Sequence, residues 1–373
     1  MCPETLKVTH GWRITSIGYS RIRGRAVPVS VGLYRRCGIC ESRAETKETS
    51  GGQRDDPHPH HHGLRHGSRR RLGLLFAVRH PGLDLRAVTC VAGNADVDDV
   101  VRNTLQVLDA AGAPAIPVAR GAVRPLIEPA RPALHVHGAD GMGELGLPAP
   151  RRRAAAENAV AVLRREILSS PRPVTLVPTA PLTNIALLLR THPEVTRNIE
   201  RIVFMGGAVS TGNATPVAEF NVWHDPEAAA VLLTAGVPIT MYSLDVFMRV
   251  LVPGDEVRRL RTSWEPGTWL AGELLSRLPF DGPEADGPAA GGLGDAGAVC
   301  AVADPAGLVT RALPVSVALA PGRTRGQTIV DRRRAPRSYG AARNAESHPL
   351  VDVALKVDAE RYVGLFLDSV RQG

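Results

Sequence analysis

From Leu72 onward the sequence alternates short apolar runs with longer amphipathic stretches, and that rhythm restricts the fold more than any other feature. The short runs predict strands over 87–91, 116–119, 174–177, 202–205, 239–243 and 315–320. The longer stretches predict helices over 97–110, 154–168, 183–189, 226–235 and 359–370. Such alternation implies the α/β class: a mostly parallel central sheet with helices on both faces, after an irregular N-terminal segment. In open sheets of this kind, ligands bind beyond the carboxyl ends of the strands. The segments Val91-Ala92-Gly93-Asn94, Pro178-Thr179 and Met205-Gly206-Gly207 each follow a strand and are expected to meet at one rim. Residues 280–297, rich in Gly, Pro and Ala, read as a mobile loop.

Residues 1–72 form a separate segment with no sustained apolar period. They are rich in Arg and hold His58, His60, His61, His62 and His66 among Pro and Gly. The net charge of +8 belongs to them, since they carry 14 Lys and Arg against 6 Asp and Glu, leaving 31 of each sign elsewhere. The expected organisation is therefore a basic, His-rich segment over 1–72 and one folded domain over 73–373. A segment without a recognisable fold makes a weak case for a nucleic-acid partner, because its Arg content supplies only salt-sensitive, non-specific affinity. Five scattered cysteines fit a reducing compartment rather than a disulfide framework. Cys37-Gly-Ile-Cys40 has metal-ligand spacing but lacks a second pair. No apolar run is long enough for a transmembrane helix and no signal peptide is evident, so the expected location is the cytoplasm.

The chemistry concentrates between Met205 and Asn221. Gly212-Asn213, Glu219-Phe220-Asn221 and the preceding apolar strand bring two amides, a carboxylate and an aromatic ring together. Amides and carboxylates give directed hydrogen bonds suited to sugar hydroxyls, whereas a phosphate site would call for Lys or Arg. Local composition alone equally allows a polar strand-to-helix loop. Asp225, followed by Pro226 and Glu227, reads as a helix N-cap, and Asp245 as a structural carboxylate.

The ordered set of motifs resembles the inosine-uridine preferring nucleoside hydrolases. It comprises Val91-Ala-Gly-Asn94, His135-Val-His137-Gly, Leu176-Val-Pro-Thr179, Pro181-Leu-Thr-Asn184, Phe204-Met-Gly-Gly207, Gly212-Asn213-Ala-Thr, Glu219-Phe-Asn221, Asp225-Pro-Glu-Ala228 and Gly322-Arg-Thr-Arg-Gly-Gln-Thr328. The resemblance implies hydrolysis of the N-glycosidic bond of ribonucleosides to free base and ribose, with bound Ca²⁺, in nucleoside catabolism and salvage. It implies a homo-oligomer with a small-molecule nucleoside as partner. It places Asn213 and Glu219 at the 5′ end of the sugar, Asn221 on the lower hydroxyls, Asn94 and Met205 against the ribose, and Phe220 and His137 near the base. The Thr179 carbonyl and the Asp295 carboxylate are the implied calcium ligands.

Two departures from the family pattern stand out. The family's Asp-x-Asp-x-x-x-Asp-Asp cluster, source of the general base and most calcium ligands, belongs just before Leu74-Leu75-Phe76-Ala77. Here that place reads Gly63-Leu-Arg-His-Gly-Ser-Arg69-Arg70-Arg71 and holds no carboxylate. No residue is therefore assigned a catalytic role. Gly294 stands where the family commonly has His, which puts protonation of the leaving base in doubt. Permitted codons for residues 63–71, read one nucleotide later, spell Asp-Ser-Asp-Thr-Ala-x-Asp-Asp-Ala, so an out-of-frame N-terminus is one origin of the first departure. Sequencing the locus decides that origin. The expectation is a nucleoside hydrolase by descent whose catalysis is severely impaired, with a non-catalytic ribose- or nucleoside-binding homologue as the alternative.

Overall fold

The computed structural model describes residues 33–34, 67–131, 145–277, 291–333 and 348–372. Along the chain run β1 (Leu33–Tyr34), α1 (Gly67–Arg79), β2 (Val88–Cys90), α2 (Val97–Ala110), β3 (Val118–Arg120), α3 (Ala159–Ser169), β4 (Val174–Leu176), α4 (Thr183–Thr191) and β5 (Ile199–Met205). Then follow α5 (Phe220–His224), α6 (Pro226–Leu233), β6 (Ile239–Tyr242), α7 (Leu244–Phe247), β7 (Leu251–Val252), α8 (Gly254–Arg261), α9 (Pro266–Ser276), β8 (Gly291–Gly292) and α10 (Ala296–Ala303). The chain closes with β9 (Leu308–Val317), β10 (Thr328–Val330), β11 (Leu350–Val357) and α11 (Ala359–Arg371).

Seven strands form the main sheet in the order β1-β4-β5-β6-β11-β9-β10. Its middle is parallel, β4 to β5 to β6 to β11, as the alternating rhythm requires. An antiparallel flank, β11 to β9 to β10, adds to the expected architecture. This flank explains why β9 starts at Leu308, well before the expected strand over 315–320. Its partner β11 alternates buried Val351 and Val353 with exposed Asp352, a pattern that pairs along almost its whole length.

β2 and β3 are parallel to each other but form a separate two-stranded ribbon. Between this ribbon and β4 the ladder is interrupted. Asn184, at the start of α4, reaches across: its Nδ2 donates to the Cys90 carbonyl at 2.9 Å and its Oδ1 accepts the Ala122 amide at 2.9 Å. A single amide side chain thus satisfies two backbone groups that an additional strand would otherwise have served.

The helices largely follow their sequence signals. α2 occupies the predicted interval. α3 starts five residues later than expected because Asn158 caps it, its Oδ1 accepting from Ala161 N at 3.0 Å. α1 crosses the boundary expected at residue 72, and Leu72, Leu75 and Phe76 bury one face at helical spacing. Its last turn is anchored by Arg79, which pairs with Glu265 and donates to the Val370 carbonyl at 2.8 Å. The Gly-rich interval expected as a mobile loop contains β8 and the start of α10, since Leu251 and Val252 pair with Gly292 and Gly291. Residues 280–290, the His-rich run and the Cys37–Cys40 pair lie outside the described residues. Among the described residues no helix is long and apolar enough to cross a membrane.

Candidate active site

The carboxyl ends of β4 and β5 meet at one amide. Asn221 is buried, and its Nδ2 donates to the Met205 carbonyl at 3.0 Å, with Met205 Sδ at 3.3 Å and the Thr179 carbonyl at 3.5 Å. One planar donor therefore ties together the tips of two neighbouring strands. The third tip, after β2, comes alongside: a Cβ placed on Gly93 would lie 3.1 Å from the Pro181 ring. Asn94, next to Gly93, is buried with its Nδ2 lacking any acceptor. The convergence expected of Asn94, Thr179, Met205 and Asn221 is thus present in the geometry.

Glu219 is fully buried and caps α5, its Oε1 accepting from Asn221 N at 2.9 Å and its Oε2 from Val222 N at 3.2 Å. The same Oε2 accepts the Gly207 amide at 3.0 Å, fixing the turn that follows β5. Burial pushes the Glu219 carboxyl up to about 7, although three backbone N–H groups and nearby Arg70 favour the charged form. Asn213 Oδ1 accepts from Phe220 N at 2.9 Å, so the 212–218 turn is pinned to the start of α5. Phe220 lies 5.4 Å from the His224 ring and 6.1 Å from the Trp223 ring, forming an aromatic wall.

Other residues support this rim. Thr328 Oγ1 donates to the Ala208 carbonyl at 2.6 Å and accepts the Ala208 amide at 2.9 Å, clamping the turn from the opposite edge of the sheet. Arg325 pairs with Glu227 at 2.7 Å, which gives the late Gly322–Thr328 motif a structural task. Asp225 caps α6 through Ala228 N at 3.1 Å, and it also accepts from Thr183 Oγ1 at 2.6 Å and Leu126 N at 3.0 Å. Asp245 accepts from Val209 N at 2.7 Å. Both carboxylates hold backbone, in keeping with their sequence reading.

Three site residues were assigned no role from the sequence. Thr328 is one, named only as the end of the late motif. His224 is buried with neither ring nitrogen partnered, and burial, with Arg70 and Arg131 nearby, pushes it down to about 4, so the imidazole is neutral. The third is Arg70. Gly73 packs against α10, a Cβ there lying 3.3 Å from Val299 Cγ2 and 3.5 Å from Ala296 Cα. This close approach sets Arg70, one turn earlier, beside Asp295 at the head of α10. Arg70 Nη2 donates to Asn221 Oδ1 at 2.8 Å, and Nη1 lies 3.5 Å from the Cβ position of Gly93. Burial lowers the guanidinium from its ordinary range, while Asp295 and Glu219 raise it; it stays charged.

The calcium expectation fails on this donor set. Thr179 and Asp295 do lie at the cleft, but Asn221 Oδ1 is taken by Arg70, a fixed positive charge among the oxygens a cation would need. Of the unpartnered atoms here, Arg70 Nε and Asn94 Nδ2 are N–H donors and cannot ligate a metal, which leaves the His224 imidazole, a nitrogen ligand and not one of the oxygens Ca²⁺ takes. Among the described residues no group of three or more His, Cys, Asp or Glu is placed to hold an ion, whereas Ca²⁺ takes roughly six to eight oxygens. His137 lies outside the described residues.

A strand-end rim of buried amides and a carboxylate on a sheet of this order defines a nucleoside hydrolase fold, and comparison with known proteins agrees. The profile of the family "Inosine-uridine preferring nucleoside hydrolase" matches residues 71–364, and the chain belongs to that family. A pyrimidine-specific ribonucleoside hydrolase RihA of Shewanella sp. (strain MR-7) is 46% identical over 204 residues, 55% of this chain and 64% of that protein. The match thus spans less than two thirds of that relative's length. The inosine-uridine preferring nucleoside hydrolase of Leishmania major is 35% identical over 305 residues, 81% of this chain and 93% of that protein. Among solved structures, the plant nucleoside hydrolase PpNRh1 superposes with a TM-score of 0.75 at 27% identity, covering 83% of this chain and 97% of its own.

Proposed function

We propose that this chain binds ribonucleosides at the rim around Asn221 and, as a nucleoside N-ribohydrolase by descent, cleaves their N-glycosidic bond to free base and ribose only weakly. The observation that carries the reading is the Asn221 amide, which gathers Thr179, Met205 and Arg70 at one point. Asn94, Asn213, Glu219 and Met205 surround the sugar in this reading, and Phe220 and His137 face the base. A neutral His224 beside Phe220 extends the base-side wall without adding charge.

Weak turnover follows from charge. Cleavage of a glycosidic bond builds positive charge on the ribose ring as the base departs. Glu219 and Asp295 favour that charge, but a buried Arg70 opposes it. Two unit charges at about 4 Å interact by roughly 4 kcal/mol at an effective dielectric of about 20. Residues 63–71, where the family pattern has its Asp cluster, also carry no carboxylate to activate water, which forfeits general-base catalysis worth about 10²–10⁴ in rate. The proposal includes a cytoplasmic location and a homo-oligomer.

Release of p-nitrophenol from p-nitrophenyl riboside, measured with and without chelator, tests the reading. The expected result is saturable inosine or uridine binding by calorimetry with turnover near background. Robust calcium-dependent turnover overturns the impairment, and absence of any nucleoside binding overturns the site.

A further inference from the structure

We propose that Arg70 is the built-in cation of this cleft: its guanidinium excludes a divalent metal and presents N–H donors to the hydroxyls of a bound pentose. The pentose part rests on the nucleoside reading above; the exclusion of metal does not.

The argument is one of donors and acceptors. A guanidinium carries five N–H donors in a rigid fork. One is spent on Asn221 Oδ1 at 2.8 Å, and Nε is buried without an acceptor. Asn94 Nδ2, on the residue after Gly93, whose Cβ position lies 3.5 Å from Arg70 Nη1, is a second buried donor without an acceptor. His224, five residues from Glu219 and at the end of the short helix that carries Asn221, leaves a neutral ring with both nitrogens unpartnered. Buried groups of this kind find partners in native proteins, and at Arg70 Nε and Asn94 Nδ2 the unfilled need is for lone pairs. A metal ion offers none. A vicinal diol offers them on two adjacent oxygens and can return a proton to the imidazole. The backbone that carries Arg70 is fixed, because Gly73 lies against Ala296 and Val299, and Arg79 is bonded to Glu265, Thr268 and Val370.

The role assigned to Arg70 differs from that of a catalytic residue. It binds and orients the sugar, and its charge acts against bond cleavage. The chain is thereby shifted from hydrolysis toward ligand retention, with no metal required.

Two titrations on the full chain test this. In the first, Ca²⁺ alone is titrated calorimetrically. The unaltered chain is expected to show no saturable uptake below roughly millimolar Ca²⁺, and Arg70→Asp to bind at least about tenfold more tightly. One Ca²⁺ taken up per unaltered chain at micromolar concentration overturns the proposal, as does an Arg70→Asp chain that gains nothing. In the second, inosine is the probe. Its affinity is expected to agree within about twofold in chelator and in Ca²⁺, and Arg70→Met to weaken it at least about tenfold. A tenfold loss in chelator, or an unchanged affinity in Arg70→Met, overturns it. If the Met variant lacks the parental circular dichroism, Arg70→Lys replaces it, with calcium still excluded and inosine still weakened; calcium uptake by that variant overturns the proposal. If inosine fails to bind the unaltered chain, the nucleoside reading falls, and the calcium titration still judges metal exclusion by Arg70.

Discussion

The Gly207 amide donates to Glu219 Oε2 at 3.0 Å, so the residue that turns the chain after β5 is held by the carboxylate that caps α5. This bond couples the position of the rim to the protonation of one buried acid. Glu219 has its folded-state value pushed up to about 7 by burial, from an ordinary 4.5. Between those values the native chain binds more protons at this group than the unfolded chain does. Stability is therefore expected to fall as pH rises from about 4.5 to 7, by an amount on the order of 2–3 kcal/mol from this group. Thermal melting across that range measures the slope, and Glu219→Gln is expected to flatten it. The Gln variant also loses a hydrogen bond, because its NH₂ must face a backbone N–H, so the slope and not the absolute melting temperature is the readout. An unchanged slope in the variant removes Glu219 as its source.

Gly207 itself has no substitute. Its φ is +70°, and a Cβ would sit 2.8 Å from Thr328 Cγ2. Gly207→Ala therefore combines the cost of a left-handed backbone, about 1–2 kcal/mol, with crowding worth about 1–3 kcal/mol. Gly236→Ala is the matched control, since Gly236 has φ +71° with open space around its Cβ position. Urea unfolding should place Gly207→Ala at least about 1 kcal/mol below Gly236→Ala. Equal losses in the two would mean that the Thr328 clamp tolerates the methyl group.

The limits of the sequence reading follow from the distance over which each feature is specified. α2 was readable because its apolar period is local, and the Asp225 cap because Pro226 and Glu227 adjoin it. The Asn94, Thr179, Met205 and Asn221 convergence was readable because strand ends share a rim in any such sheet. The clamp made by Thr328 was not, although the residue closes a motif of the resemblance, since its bonds to Ala208 join positions 120 residues apart. Arg70 was hidden for a related reason: its place depends on Gly73 meeting α10, and the Arg69–Arg71 run by itself marks only a missing acidic motif. The antiparallel β9–β11 pairing was missed although Val351 and Val353 alternate, because nothing local reveals which strand they pair with.

The interrupted sheet carries the last prediction. β5 is hydrogen-bonded on both sides, by β4 and by β6, whereas among the described residues β2 and β3 have only each other over three residues apiece. Among the described residues, β4 is met on its far side by just Leu33 and Tyr34. Across the gap, Asn184 replaces a ladder with two bonds, to Cys90 O and from Ala122 N. Local opening costs least where few backbone bonds must break together. Amide hydrogen exchange over β2 and β3 is thus expected to run at least about tenfold faster than over β5. Asn184→Ala should speed exchange at the ribbon further while leaving β5 unchanged, because it orphans the buried Cys90 carbonyl, at a cost of about 1–3 kcal/mol, and the half-buried Ala122 amide. If the two regions exchange at one rate, and that rate is the rate of global unfolding, the ribbon is as firmly held as the main sheet and the gap has no dynamic consequence.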